Sequence, residues 1–378
     1  MRSKRLCTLL LCVLVMLLLV SCGGGEASAG SVSASKSEAD ASVSAGQSEP
    51  AISVVVPVDP EPEPEPEPVL RYTNPLTGEG CETDISKKRP IAVMINNHKK
   101  GQPQLGISKA DILYEIPAEG GITRMMAVFQ DVSGVGNIGT VRSARDYYAS
   151  LALGMDALYL HAGGSPQAYQ FIKNWGMPAF DCVNGPYEGT LYWRDAARKK
   201  NKGLEHSVLT SSEKILKLFP TYRYRLEHKE GYFYPMSFAG EATPVNGEPA
   251  NTITVKFSEY KTGIFRYDGA SGLYKVEQFG QAHTDGNTGE QLAVKNVLVL
   301  QTDIYRIKGD SAGRLSVRTT GSGKGKFACG GKVENITWSR TKDNKAMTFL
   351  NEAGEELQFG IGTTYINIVG GSTTYTFA

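Results

Sequence analysis

Arginine suits the holding of a carboxylate or a phosphate, because its planar guanidinium presents a fork of fixed donors. The stretch NIGTVRSARDYY, residues 137–148, sets Arg142 and Arg145 at the expected start of a helix. That end of a helix carries partial positive charge, so an exposed arginine there costs about 0.3–1 kcal/mol. The placement calls for a negative partner. A structural account supplies part of one: Ser143 caps the helix, Asp146 completes an S-x-x-D start, and Arg142 is spaced to pair with Asp146 at i, i+4. Arg145 is then left over, with Glu115, Glu119 and Asp146 as internal candidates.

A second stretch, HAGGSPQ from His161, supports an alternative. It also follows a strand-like run and opens a helix. Gly163 and Gly164 permit close approach, Ser165 offers a hydroxyl, and the backbone N–H groups of a helix tip attract anions. If the two preceding strands are parallel neighbours, both tips lie on the carboxyl rim where ligands of α/β sheets gather. Arg142, Ser143, Arg145, His161, Gly163, Gly164 and Ser165 then converge on one carboxylate or phosphate. Asn96 and Asn97, at the end of another strand, share that rim. Read as an enzyme, the rim makes His161 a general base and lets the arginines stabilise developing charge. The chain has no G-x-S-x-G and no H-E-x-x-H, which removes two hydrolase templates.

The remaining motifs point elsewhere. HTDGNTG, from His283, is a turn sequence, and His206 in GLEHSVLT is a loop histidine. GSGKGK, from Gly321, lacks the GKS or GKT ending of a phosphate loop, and no helix follows it. There is no C-x-x-C pair, so no zinc site and no cofactor are expected. Cys81, Cys182 and Cys329 allow at most one internal disulfide, and the sequence does not choose the pair.

The positioning elements read as follows. RPIAVMINN, ADILYEI and ITRMMAVFQ are strands, with a Gly-Gly turn at Gly120 and Gly121 between the last two. A helix over 144–153 keeps Ala144, Tyr148, Leu151, Ala152 and Met155 on one face. ALYL is a strand, and PQAYQFIKNW a helix with Ser165 as N-cap, Pro166 in its first turn and Gly176 at its end. A further helix over 212–219 opens on TSSE, a capping box from Thr210 to Glu213. After residue 251 the chain is a series of short β-like runs separated by Gly, Asn and Asp. These describe an α+β fold: a mixed sheet with helices over 71–240, and a mostly antiparallel β-rich domain over 241–378.

The chain has 378 residues, 41% of them apolar, enough for a sizeable core, and a formal net charge of +1. Acids concentrate in residues 23–70, so the folded remainder is mildly basic. No lysine- or arginine-rich block suggests nucleic acid. Residues 1–22 pair a basic MRSKR with an apolar run too short for a confident membrane span. The run ends in LVSC, which resembles a bacterial lipobox and makes Cys22 the acylated N-terminus after cleavage; two or more acyl chains anchor stably. Residues 23–70 are a Gly/Ser-rich tether followed by DPEPEPEPEP, which favours polyproline II and holds the domain away from the membrane.

RPIAVMINN, ADILYE, EGGITR, IGTVRSAR, HAGGSPQA, and later HTDGNTGEQLAVKNVLV and ITWSR, together resemble the YerB-like bacterial lipoproteins. The resemblance runs from about residue 71 to the end. It implies stacked sheets and helices in a lipid-anchored protein on the extracytoplasmic face of the cell membrane, and it supplies no catalytic residues. Where that family often has proline before the histidine of LEHSVLT, this chain has Glu205. Sequence and resemblance together lead to a binding protein of the envelope that recognises an anionic component or a partner protein. The alternative is a hydrolase or transferase acting on an envelope polymer.

Overall fold

The computed structural model describes residues 70–378 apart from 241, 243 and 245. The signal segment, Cys22 and nearly all of the tether lie outside the described residues. The protein is α+β, built on one mixed sheet of eleven strands. In chain order these are β1 (Ile91–Asn96), β2 (Ile112–Pro117), β3 (Thr123–Phe129), β4 (Leu158–His161), β5 (Ala179–Asp181), β6 (Glu248–Pro249), β7 (Asn296–Gln301), β8 (Gly321–Cys329), β9 (Lys332–Arg340), β10 (Thr348–Leu350) and β11 (Thr364–Val369). Their order across the sheet is β6-β9-β8-β7-β11-β2-β3-β1-β4-β5, with β10 beside β9. The strand β11, near the end of the chain, runs parallel to β2 on one side and β7 on the other. Strands from both sides of residue 240 therefore share one hydrogen-bonded sheet. A separate six-stranded antiparallel sheet includes Thr252–Lys256, Thr262–Asp268 and Leu273–Gln278.

The central strands β1, β3 and β11 are buried at every residue. Strands covered on both faces read as continuous apolar runs rather than alternating ones, and IAVMI and MMAVF are such runs. Val93, Ile95 and Leu113 face Ile253, Val255 and Phe265 of the smaller sheet. Ala92, Met94 and Met126 face the other way, towards Tyr148, Leu151 and Ala152.

Four helices matter for the site: α1 (Asp146–Gly154), α2 (Pro166–Trp175), α3 (Ala196–Lys202) and α4 (Ser212–Leu218). The expected caps of α2 are in place. Ser165 Oγ accepts from Ala168 N at 3.1 Å, and Gly176 takes φ +56 at the other end. The other helix starts differ from expectation. The first helix starts at Asp146, with Arg145 rather than Ser143 in the N-cap position and no side-chain cap bond. Ser211 rather than Thr210 caps α4; the Thr210 hydroxyl is spent on Leu191 O, to which it donates.

Gly154 ends α1 against a buried arginine. Arg340 Nε donates to Lys345 O at 2.7 Å and Nη1 to Ser150 Oγ at 2.8 Å. A methyl group on Gly154 would collide with that same Lys345 oxygen and lie 2.7 Å from Arg340 Nη2. Alanine favours a helix by about 1 kcal/mol over glycine, but overpacking costs about 1–3 kcal/mol. Gly154→Ala is therefore expected to lower stability in urea unfolding; a more stable variant would refute the close packing.

Candidate functional site: an arginine-lined cavity at the carboxyl rim

The strands β1 and β4 are parallel neighbours, so their carboxyl ends open on the same rim. The segment Val141 to Arg145 is laid between those ends. Arg142 N donates to Met94 O at 2.9 Å, Ala162 N to Arg142 O at 3.0 Å, and Ala144 N to Gly163 O at 2.8 Å. Ser165 N donates to Ala144 O at 3.1 Å. This ladder sets the tips of α1 and α2 side by side, but not through the strands expected to precede them: β3 is separated from β4 by β1 and runs antiparallel to it.

Above the ladder lies a cavity of about 550 Å³. Arg142, Ser143, Gly163 and Gly164 line it, with Tyr169 of α2, Asn184, Arg194 and the segment Gly203 to Glu205. Asp181, at the end of β5, organises one wall. Its Oδ1 accepts from Gly163 N at 2.7 Å and Val183 N at 2.9 Å, and its Oδ2 from Tyr169 Oη at 2.7 Å. Burial opposes the charge on Asp181, but His161 and these donors prevail and hold its carboxyl below the usual range. Two guanidiniums shape the opposite wall. Arg142 Nη1 donates to Glu205 O at 2.9 Å, and Arg194 Nη1 to Leu204 O at 3.1 Å. Arg194 also meets Glu188 at 2.9 Å. Among the described residues no carboxylate forms an ion pair with Arg142. Burial and then repulsion from Arg124 bring its pKa down to about 10, so it stays charged at neutral pH.

The other expected site residues are sealed away from this cavity. Arg145 is 6% exposed. Its Nε donates to Glu119 Oε2 at 3.1 Å, its Nη2 pairs with the same carboxylate, and its Nη1 donates to Ala144 O. Its negative partner is internal, and it leaves the candidate site. Ser165 is occupied as a helix cap. His161 is 1% exposed, and its Nδ1 lies 2.9 Å from Gly163 O. A carbonyl can only accept, so Nδ1 carries the proton. Burial outweighs the opposing pull of Asp181 and depresses the imidazole pKa. An imidazole sealed from the cavity in this way is poorly placed as a general base. Asn96 is buried against His206, its Nδ2 2.8 Å from His206 Nδ1. Asn97 points to the other face of the sheet, where its Nδ2 donates to Glu115 at 2.9 Å.

Residues not singled out from the sequence take their place. Arg124, at the start of β3, is 4% exposed. Its Nη2 meets Glu119 at 2.9 Å, while its Nε and Nη1 have no hydrogen-bond partner. It sits opposite Asn96 in register, and Asn96 N in turn donates to Thr140 O. The buried hydroxyl of Thr140 is also without a partner. Buried polar groups are nearly always paired, so orphaned donors beside Arg142 mark a place built for something more. Arg142, Arg124 and Arg145 thus form a row whose fields reach one another, with Glu119 shared between Arg124 and Arg145. An arginine opening the otherwise apolar run TRMMAVF was the available signal in the sequence.

The other motifs resolve structurally. Asp285 of HTDGNTG accepts from Gly106 N and Ser108 N, tying that turn to the 105–108 segment. GSGKGK begins the strand β8. Cys81, Cys182 and Cys329 are all free thiols.

Comparison with known proteins agrees with this architecture. Two family models, the N-terminal and C-terminal domains of "Protein of unknown function (DUF3048)", match residues 76–225 and 253–366. The Bacillus subtilis (strain 168) protein named "Putative lipoprotein YerB" is 33% identical over 299 residues, which is 78% of this chain and 85% of that one. The crystal structure of YerB from Bacillus subtilis superposes with a TM-score of 0.70 at 29% identity, covering 81% of this chain and 100% of that one. No described helix is long and apolar enough to cross a membrane. The relationship places the protein among envelope-associated lipoproteins anchored by a lipid. The chain belongs to the DUF3048 family.

Proposed function

We propose that this lipoprotein is anchored through Cys22 on the extracytoplasmic face of the membrane, and that its folded body captures an anionic group in the Arg142 cavity. The Gly/Ser-rich and Pro-Glu composition of residues 23–70 supports that placement. One observation carries the reading: a half-buried guanidinium held by a backbone carbonyl, without a carboxylate ion pair among the described residues, beside a buried arginine with two orphaned donors. In water a lone arginine–anion contact contributes little. In a partly enclosed cavity the same bidentate contact is stronger and directional. The Ser143 hydroxyl lines the same cavity and supplies a further donor; the Asn184 amide is already committed to Tyr169 Oη and Asp181 Oδ2.

The test is thermal denaturation in phosphate, sulfate and short carboxylates, with a neutral sugar as control. A saturable rise is expected, worth about 2.7 kcal/mol at 100 times the Kd. Arg142→Ala should melt close to the parent without ligand and lose the response. An unchanged response in Arg142→Ala would place the anion elsewhere.

A further inference from the structure

We propose that the anionic ligand is one unit of a linear, phosphate-type polyanion, and that the polymer runs from the Arg142 cavity across a basic face formed by α3 and the turn at residues 98–100. This rests on the cavity reading above. Two short basic stretches, HKK at 98–100 and RKKNK at 198–202, are a hundred residues apart in sequence. The fold joins them. Arg198 Nη1 donates to Gly101 O at 3.1 Å and Nη2 to Pro103 O at 2.6 Å, and Lys202 Nζ bonds to Gln102 O. Those contacts commit Arg198 and Lys202 to holding the two stretches together. Lys99, Lys100, Lys199 and Lys200 remain exposed.

The face and the cavity share an edge. On leaving α3 the chain becomes the cavity wall at Gly203 to Glu205, whose carbonyls are held by Arg142 and Arg194. Their electrostatic fields overlap as well. His98 is pushed below its ordinary pKa by burial, then by Arg142 and Lys100, with Glu205 opposing. His206, whose ring centroid lies 5.3 Å from that of His98, is lowered by burial and Arg142, again against Glu205. The acids on this face are engaged: Asp195 caps α3, Glu188 holds Arg194, and Glu205 lies against His206.

A single small anion would use the cavity and leave the four lysines idle. Exposed ammonium groups are point charges without a fixed fork, so they tolerate variable spacing along a flexible chain. Each such pair is worth little alone, but linked charges bind with high effective concentration and release counterions. The sequence of α3, AARKKNK, offers no aromatic ring on which bases could stack; Tyr260, 38% exposed beside the turn at 98–100, is the ring a base could use, and the oligonucleotide in the experiment tests it.

The experiment compares long-chain inorganic polyphosphate, orthophosphate and a single-stranded oligonucleotide of equal charge, using the full-length protein. Polyphosphate should bind more tightly per phosphate than orthophosphate. Raising salt from about 50 to about 200 mM should weaken it about 130-fold, for the four lysines and Arg142 at the slope of a flexible single strand. Lys199→Glu with Lys200→Glu should weaken polyphosphate about tenfold or more and leave orthophosphate binding unchanged. If polyphosphate shows no advantage, if the double variant binds it like the parent, or if the oligonucleotide binds more tightly, the polymer inference is overturned while the cavity reading stands. If orthophosphate binding itself ignores Arg142→Ala, the cavity reading is what fails.

Discussion

Lys261→Met is expected to destabilise the protein by about 3–5 kcal/mol, the cost of stripping one partner from a buried ion pair. The Lys261 ammonium lies 3.1 Å from Glu115 Oε1, and both side chains are 1% exposed. Glu115 would keep its other donors: Asn97 Nδ2 at 2.9 Å, Thr123 Oγ1 at 2.5 Å and Tyr365 Oη at 2.5 Å. It would lose its only ion-pair partner among the described residues. The pair spans β2, β11 and the smaller sheet, so the loss should appear as global unfolding at lower denaturant. The network continues from Asn97 through Gln104 to His283, whose Nε2 donates to Gln104 Oε1 at 3.0 Å. Burial and then Lys261 push His283 down to about 3, so it stays neutral beside the ammonium. Glu115→Gln combined with Lys261→Met should recover much of the loss, because no buried charge is then left alone. A Lys261→Met variant as stable as the parent would contradict the buried ion pair.

Glu119→Gln should cost about 3 kcal/mol at neutral pH and should flatten the acid limb of the stability curve. Burial works against the Glu119 charge, but the Arg145 hydrogen bond and the fields of Arg124 and Arg145 prevail and hold its carboxyl at about 2. Its ordinary value is 4.5. A depressed carboxyl contributes stability above its unfolded pKa and loses it as pH falls through the folded one. The window therefore runs from pH 4.5 down to about 2, and its size, at 1.36 kcal/mol per unit, is about 3 kcal/mol. Stability measured by urea titration across that window should fall more steeply in the parent than in Glu119→Gln. Matching slopes would contradict the shared carboxylate. The variant also bears on function. Removing the one acid in the arginine row leaves Arg124, Arg142 and Arg145 uncompensated, so anion affinity at the cavity should rise even as the fold weakens.

What could be read from the sequence was local. Ser165, Pro166 and Gly176 announce α2 because capping is decided within a few residues, and IAVMI and MMAVF announce buried strands by composition. The condition for aligning the two helix tips, that the run ending at Phe129 and ALYL be parallel neighbours, fails: β1 lies between β3 and β4 and is antiparallel to β3. The tips meet because the chain after Gly139 crosses back onto the end of β1. Glu119 stands among three internal candidates for Arg145, but the sequence does not choose it, since it lies 26 residues away and reaches Arg145 through the turn at Gly120 and Gly121. Arg124 was passed over because its neighbours Asn96, Thr140 and Arg142 come from other segments. The helix α3 has no apolar stripe, and contacts to residues 101–103 fix it instead. The run GSGKGKFAC looks like a loop by its glycines. It forms a strand because Gly323 lets the Trp338 indole come close, where a Cβ would lie 2.5 Å from its Nε1.

The most direct test of the Arg142 cavity is an arginine Nε–H spectrum of the isotopically labelled protein, titrated with orthophosphate. The account predicts that the Arg142 and Arg194 signals move along one saturating curve, while the Arg145 signal, bound to Glu119, moves little. A titration in which Arg142 stays still, or in which only exposed basic groups respond without saturating, would contradict it.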